Sequence, residues 1–376
     1  MNYLFTCGGT AGHINPAIAV ASRVRTTDPS AKILFIGAEG HMESDLVPRE
    51  GYEIRTVKIT NLSREISLEG LKHNLETCRN VLISVREAKK IIREFSPDVV
   101  VGTGGYVCYP VLRAAHELGI PTVVHESNAC PGLTTRLLSH TVDRILVGVE
   151  GCEKEYSDPS KVIYTGTPVR SGFGTESKKE AREKLGFPEG EKLVVSVWGS
   201  LGAGHMNETV LQMLPLFRDH PAGFRMIHVT GKRYYRQFMD SAEKICPDAG
   251  NVGVEIREYL HNMPDVMNAA DLVMCRSGAS TLSELTYIGK PAILVPSPNV
   301  ANNHQEKNAR VVESAGGAKV MLEGEFDAAS LFAEIHSLLN DPERLAEMSE
   351  ASRNLSVADS AERITDIVLK LAGRKG

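Results

Sequence analysis

Residues 8–13 read Gly-Gly-Thr-Ala-Gly-His and close an apolar run that begins at Tyr3. Where a strand gives way to a helix through small residues, backbone N–H groups and the positive helix end can approach an anion or a polar ligand. His13 stands at the mouth of this turn. An imidazole accepts a proton near neutral pH, so His13 is a candidate general base as well as a candidate capping residue. Two further polar turns follow apolar runs, Gly102-Thr103-Gly104-Gly105-Tyr106 and His125-Glu126-Ser127-Asn128. Strand C-termini in open α/β sheets share one edge, so both turns are expected beside His13, with Glu126 as a second candidate base.

The second half of the chain repeats the pattern. Residues 275–285 read Cys-Arg-Ser-Gly-Ala-Ser-Thr-Leu-Ser-Glu-Leu, a strand end, a small-residue turn and a helix start. The unpaired N–H groups of such a helix start suit a diphosphate. Glu284, one to two turns into the helix, carries a carboxylate that can accept hydrogen bonds from vicinal hydroxyls such as those of ribose; as a helix-stabilising acid it would need no ligand. Gln305, in Asn302-Asn303-His304-Gln305-Glu306-Lys307-Asn308, can address sugar hydroxyls through its amide or simply begin a solvated helix. The first turn is not a dinucleotide fingerprint, because Thr10 occupies the place of the second glycine and Glu39 comes too late for the ribose-binding acid. No phosphate-binding loop of the Gly-x-x-x-x-Gly-Lys-Ser/Thr type is present.

The elements that must position these residues follow from hydrophobic periodicity. Strand-like runs at residues 3–7, 32–36, 53–59, 99–102, 122–125, 144–147 and 162–165 alternate with helix-length segments, and a second series occupies 193–197, 225–229, 253–258, 272–275 and 292–295. The alternation predicts an α/β chain with parallel sheets covered by helices on both faces. Each series opens on a strand running into a Gly-rich turn, the second at Trp198-Gly199-Ser200-Leu201-Gly202-Ala203, as two copies of one architecture would. The expected organisation is a first domain over 1–165, a linker over 166–192, a second domain over 193–340, and a helical tail over 341–376 packed on the body.

Composition narrows the function. With 376 residues the length suggests two domains. Forty-two Lys and Arg against 47 Asp and Glu leave a net charge of -5, which argues against a dedicated nucleic-acid binder. The seven cysteines are scattered without a Cys-x-x-Cys pair, which suits a reducing cytoplasm and indicates neither a disulfide framework nor a zinc site. No run approaches the ~20 apolar residues of a membrane span, and the N-terminus has no basic leader, so neither export nor spanning is expected. Residues 71–95 carry an apolar stripe, Leu71, Leu75, Cys78, Leu82, Val85 and Ile92, with Lys72, Arg79, Arg86, Lys89, Lys90 and Arg93 mostly elsewhere. A buried amphipathic helix accounts for the stripe most simply, while the basic residues permit attraction to anionic headgroups.

In their order along almost the whole chain, the motifs at 8–13, 102–106, 125–128, 166–170, 199–203, 275–284 and 304–308 resemble the MurG family of peptidoglycan glycosyltransferases. The resemblance implies a GT-B architecture: two Rossmann-like domains facing across a cleft, the C-terminal one holding UDP-N-acetylglucosamine and the N-terminal one meeting a lipid-linked acceptor. It assigns Thr10, Ala11, Gly12, His13 and Asn128 to the sugar and acceptor region, and Arg170 and Ser200 to the diphosphate. Leu260 would border uracil, and Gln305 would contact N-acetylglucosamine. Ser277, Gly278, Ala279, Ser280, Thr281, Leu282, Ser283 and Glu284 would cradle diphosphate and ribose, with Glu284 on the ribose hydroxyls. Three positions depart from the commoner family pattern: Ala11 and Trp198 where glycine is frequent, and Thr167 where asparagine is.

The expected reaction is inverting transfer of N-acetylglucosamine to the C4 hydroxyl of the muramyl residue of lipid I, giving lipid II for cell-wall biogenesis, cell shape and division. With no Asp-x-Asp motif, no metal or other cofactor is expected, and the helix start at 277–280, Ser200 and Arg170 would meet the leaving-group charge. The lipid acceptor implies peripheral attachment at the cytoplasmic face of the cell membrane through an anionic surface, with other cell-wall synthesis proteins as further partners. The rival expectations are another GT-B enzyme, such as a UDP-N-acetylglucosamine 2-epimerase or a lipid or natural-product glycosyltransferase, and a noncatalytic sugar-nucleotide-binding subunit.

Overall fold

The computed structural model describes residues 1–373 except 60–67, 171, 189, 200–201, 220–222 and 248–251. The chain divides into two units, Met1–Arg170 with Val357–Gly376, and Ser171–Ser356.

The first unit alternates β1 (Asn2–Thr6), α1 (Ala11–Thr27), β2 (Lys32–Ala38), α2 (Glu43–Arg49), β3 (Glu53–Val57), α3 (Leu68–Phe95), β4 (Val99–Gly102), α4 (Cys108–Glu117), β5 (Thr122–Glu126), α5 (Leu133–Leu138), β6 (Arg144–Val147) and β7 (Val162–Tyr164). Its seven parallel strands run in the order β3-β2-β1-β4-β5-β6-β7. The strands are apolar on both faces because both are covered. Tyr3 and Phe5 turn to a core shared with Ala17, Val20 and Val24 of α1, and Leu4 turns to a core shared with Ala88, Ile92, Val111 and Leu112 of α3 and α4.

The second unit contains α6 (Lys178–Leu185), β8 (Lys192–Val197), α7 (Gly204–Asp219), β9 (Phe224–Val229), α8 (Tyr235–Ile245), β10 (Val254–Arg257), α9 (Met263–Ala269), β11 (Leu272–Cys275), α10 (Ala279–Tyr287), β12 (Ala292–Leu294), α11 (His304–Ser314), β13 (Ala318–Val320), α12 (Ala328–Leu339) and α13 (Pro342–Asn354). Its six strands repeat the first order, β10-β9-β8-β11-β12-β13. All pairings in both sheets are parallel. The twelve expected strands are present, and the short edge strand β13 is additional.

The units are divided differently from the sequence expectation. The stretch over 166–192 is not one linker: it carries α6, whose Arg182 donates to Ala269 O at 3.0 Å and pairs with Asp271 at 2.6 Å, so this segment is built into the second unit. The expected tail splits as well. Met348 of α13 joins the second core, whereas Ile364, Val368 and Leu371 of the last helix, α14 (Ser360–Ala372), fill the first core beside α1. Spacings of four and three residues put those three side chains on one face, which packs against α1 and the strand residues of the first core.

Helix α3 also departs from its expected stripe. Ile92 is buried and Val85 half-buried, but Leu82 is 66% exposed, and the inward positions are Thr77, Ser84 and Ala88. The side chains of Leu71, Leu75 and Cys78 lie outside the described residues.

Candidate functional site

In the first sheet the strand order reverses at β1, which pairs with β2 on one side and β4 on the other. The connections after β1 and β4 leave towards opposite faces, and the crevice between them is where open α/β sheets take ligands. Glycines set its shape. Gly9 has φ +85° and Gly105 φ +88°. Gly8 N–H donates to Gly104 O at 3.3 Å, and a Cβ on Gly105 would lie 2.2 Å from Gly8 O. The two turns therefore stack backbone on backbone. Ala11 is already helical and has no positive φ, so alanine fits where glycine is commoner in the resembling family.

His13 lies in the first turn of α1. Its Nδ1 is 3.0 Å from Gly8 O, and a carbonyl only accepts, so Nδ1 carries the proton and the neutral ring presents Nε2 as acceptor. The Thr10 hydroxyl lies 3.5 Å from the same nitrogen. Thr103 Oγ1 donates to His13 O at 2.7 Å and ties the helix start to the β4 turn. Ala11 and Gly12 are half-buried and Thr10 exposed, with no side chain capping the helix. His13 thus has the orientation of a base, which distinguishes it from the second candidate.

Glu126 is buried, and four donors hold its carboxylate. Oε1 accepts from Asn128 N and Nδ2 at 3.1 and 2.8 Å, and Oε2 from Gly132 N at 2.9 Å and Thr135 Oγ1 at 2.7 Å. Geometry gives Glu126 the task of fastening the loop that enters α5, and Asn128 is held by it. His125 is buried and donates from Nε2 to Gly166 O at 2.9 Å; burial lowers its pKa, so it stays neutral and structural. Arg170 is the last residue of the first unit before the chain crosses to the second.

In the second sheet the order reverses at β8, between β9 and β11. Ser200 lies outside the described residues. Trp198 packs into the core, its Nε1 donating to Ser196 Oγ at 2.9 Å. After β11, Ser277 is fully buried and its Oγ has no partner among the described residues. Gly278 is extended, with φ −66° and ψ 138°, and α10 begins with neither a side-chain cap nor an acid in its first turn. The N–H groups of Ala279, Ser280 and Thr281 therefore face outward without an internal partner. Ser283 turns its hydroxyl back to Ala279 O at 2.9 Å, and Leu282 is buried.

Glu284 is buried behind this helix start, and its charge adds to burial in raising the Cys275 thiol to about 12. Gln305 accepts from Ser297 N at 2.9 Å through Oε1, so a sugar contact would come from its amide nitrogen. Leu260 is buried in the turn after β10. Two fastening residues were not anticipated from sequence. Asn308 Nδ2 donates to Ser277 O at 3.3 Å, and Arg276 bonds Val295 O and Pro296 O at 3.1 and 3.2 Å while pairing with Glu323 at 2.5 Å. A third, Glu43, lies under the first turn: it accepts from Gly9 N at 3.1 Å and Ala38 N at 2.9 Å.

The sequence of each unit matches a known family domain. Residues 3–147 match the N-terminal domain model, and 193–364 the C-terminal domain model, of glycosyltransferase family 28. The chain is 41% identical over 375 residues, all of this chain and 99% of the relative, to the UDP-N-acetylglucosamine--N-acetylmuramyl-(pentapeptide) pyrophosphoryl-undecaprenol N-acetylglucosamine transferase of Acetivibrio thermocellus. It is 43% identical to the protein of the same name from Caldanaerobacter subterraneus, over 98% of this chain and 99% of the relative. Among solved structures, MurG of Acinetobacter baumannii superposes with TM-score 0.75 at 23% identity, covering 98% of this chain and 99% of that one. A UDP-GlcNAc 2-epimerase from Neisseria meningitidis bound to UDP-GlcNAc reaches 0.66 at 15% identity, over 98% and 100%, a likeness of fold alone.

Proposed function

Because the chain belongs to glycosyltransferase family 28, we infer that it transfers N-acetylglucosamine from UDP-N-acetylglucosamine to the muramyl residue of undecaprenyl-pyrophosphoryl-MurNAc-pentapeptide, converting lipid I to lipid II in peptidoglycan synthesis. The observation that carries the residue-level reading is the pair of switch points, one presenting an oriented imidazole and the other a bare helix start above an orphaned buried serine.

In the proposed mechanism the second unit holds the donor. N–H groups of Ala279 to Thr281 and the Ser277 hydroxyl meet the diphosphate, Glu284 accepts the ribose hydroxyls, Leu260 borders the uracil and Gln305 addresses the N-acetylglucosamine. The muramyl C4 oxygen attacks the anomeric carbon, its proton passes to His13 Nε2, and the bond from that carbon to the phosphate oxygen breaks with its electron pair on UDP. A single displacement on an α-linked donor gives a β-1,4 linkage. Charge growing on the diphosphate is met by dipoles already aimed at it, with Arg170 and Ser200 as further contributors and no resident metal in the proposal. Glu126 enters as a support of the acceptor loop.

Peripheral attachment to an anionic membrane face belongs to the same proposal. Arg79, Leu82, Arg86, Lys90 and Arg93 are exposed at spacings of three and four on α3, and Leu133 and Leu137 of α5 are 57% and 50% exposed. Among the described residues no helix is long and apolar enough to cross a membrane. The decisive experiment incubates the protein with labelled UDP-N-acetylglucosamine and a short-chain lipid I analogue, with and without chelator. A disaccharide product in both arms is expected. Isomerised nucleotide sugar without acceptor would indicate an epimerase, and donor binding without product a noncatalytic subunit.

A further inference from the structure

Glu43 is the buried acid that the mechanism above leaves unused. It is 0% exposed, and each of its oxygens accepts a backbone N–H, Oε2 from Gly9 and Oε1 from Ala38. The arrangement is tight: a Cβ on Gly8 would lie 2.5 Å from Glu43 Oε1, and one on Gly37 would lie 2.5 Å from its Cγ. A wholly buried carboxylate is costly unless its charge is engaged. Fastening two loops does not by itself call for a full charge in that place.

The peptide unit it engages suggests what the charge does. Gly9 N–H and Gly8 C=O belong to the same peptide group. Its N–H points at the Glu43 carboxylate, 3.1 Å away, and its C=O accepts from His13 Nδ1 at 3.0 Å. Hydrogen bonds in series polarise one another: a carboxylate pulling on the N–H makes the carbonyl a stronger acceptor. A stronger acceptor at Nδ1 fixes that nitrogen as the protonated one, leaves Nε2 as the lone-pair nitrogen and makes it more basic.

We propose that Glu43 is a positioning residue that acts on His13 through the Gly8–Gly9 peptide, so that carboxylate, peptide and imidazole form one relay. This rests on His13 being the base that takes the acceptor proton. The relay does for this imidazole what a directly bonded carboxylate does elsewhere, with one peptide inserted between. It also accounts for glycine at position 8, where any Cβ would displace the carboxylate, and it keeps the charge one peptide away from the incoming hydroxyl.

The test reads the imidazole directly. Other titratable groups facing the relay are Cys7 just after β1, Cys108 of α4, Tyr106 of the β4 turn, and His41, which lies 2.9 Å from the Tyr106 hydroxyl. Burial raises both thiols and the phenol, Cys108 and Tyr106 to about 12, so the ring signals to separate at the relay are those of His13 and His41. With ¹⁵N-labelled histidine in the full chain, and His13 assigned by its loss in His13→Gln, the neutral wild-type ring is expected as the Nδ1–H tautomer. In Glu43→Gln the His13 titration midpoint should fall, the tautomers should mix, and the acid limb of the kcat/KM profile should move to lower pH. Turnover of the lipid I analogue should fall about 10- to 100-fold, with the donor KM within about twofold.

A wild-type ring that is Nε2–H when neutral overturns the relay without any variant, even if Glu43→Gln does not fold. So does an unchanged His13 titration in folded Glu43→Gln. Unchanged turnover in His13→Gln would instead remove the base assignment, and the nitrogen spectra would still decide the relay.

Discussion

At the residue scale, the site depends on atoms that are absent as much as on those present. Gly104 has φ +113°, and a Cβ there would lie 2.5 Å from His13 Cδ2 and 3.0 Å from Nε2. Gly104→Ala should therefore both strain the backbone, at about 1–3 kcal/mol, and push the imidazole off its hydrogen bond to Gly8 O. Transfer to the lipid I analogue is expected to drop at least about tenfold while UDP binding, measured by calorimetry, stays within about twofold. Loss of both in parallel would mean that the substitution acts on the whole fold. His13 and the helix start at 277–280 were legible in the sequence because strand, small residues and helix follow one another along the chain. Glu43 was not, since its partners are backbone groups at Gly9 and Ala38, and nothing in a side-chain pattern marks an acid whose partners are peptides. Glu126 is the converse case: a carboxylate following a strand looks reactive, and among the described residues the donors to its side-chain oxygens all come from residues 128–135, which the sequence pattern does not disclose.

At the element scale, apolar runs of β-branched residues disclosed every strand except β13, whose three residues include Lys319 at a sheet edge. A three-residue edge strand with a lysine at its centre has too little periodicity to stand out from a turn. Helix α6 was read as linker for a related reason. It is charged throughout, and its docking relies on Lys178 and Arg182 reaching Asp271 at 2.5 and 2.6 Å rather than on an apolar stripe. Helix α3 shows the limit from the other side, because composition could not tell which apolar residues face outward. With Leu82 outward among Arg79, Arg86, Lys90 and Arg93, that face offers one apolar anchor in a basic field. Attraction of basic residues to anionic lipid contributes about 1 kcal/mol each and fades with salt. Leu82→Glu combined with Arg86→Glu is thus expected to weaken sedimentation with vesicles containing anionic lipid at least about tenfold, while solution turnover of a short-chain acceptor is kept. Equal binding by wild type and variant, or wild-type binding to neutral vesicles at all salt concentrations, would remove α3 from the membrane contact.

At the scale of the whole molecule, the duplication of strand order has a functional corollary. Each unit closes its own sheet and core, and the chain passes between them only at 170–171 and 356–357. His13 and Glu284 belong to different units, each with its own core, so the two half-reactions of recognition should be separable by mutation. If Glu284 accepts from the ribose hydroxyls as proposed, Glu284→Gln, which leaves an amide of the same size, should weaken UDP binding about tenfold or more. Lipid I analogue binding by the same variant, followed without donor, should stay within about twofold. His13→Gln should show the mirror image: UDP affinity kept and transfer reduced by the 10²–10⁴-fold that a general base typically contributes. If Glu284→Gln abolished acceptor binding, or His13→Gln abolished nucleotide binding, the donor and acceptor assignments would have to be redrawn, because each residue would then be acting outside the unit whose core holds it.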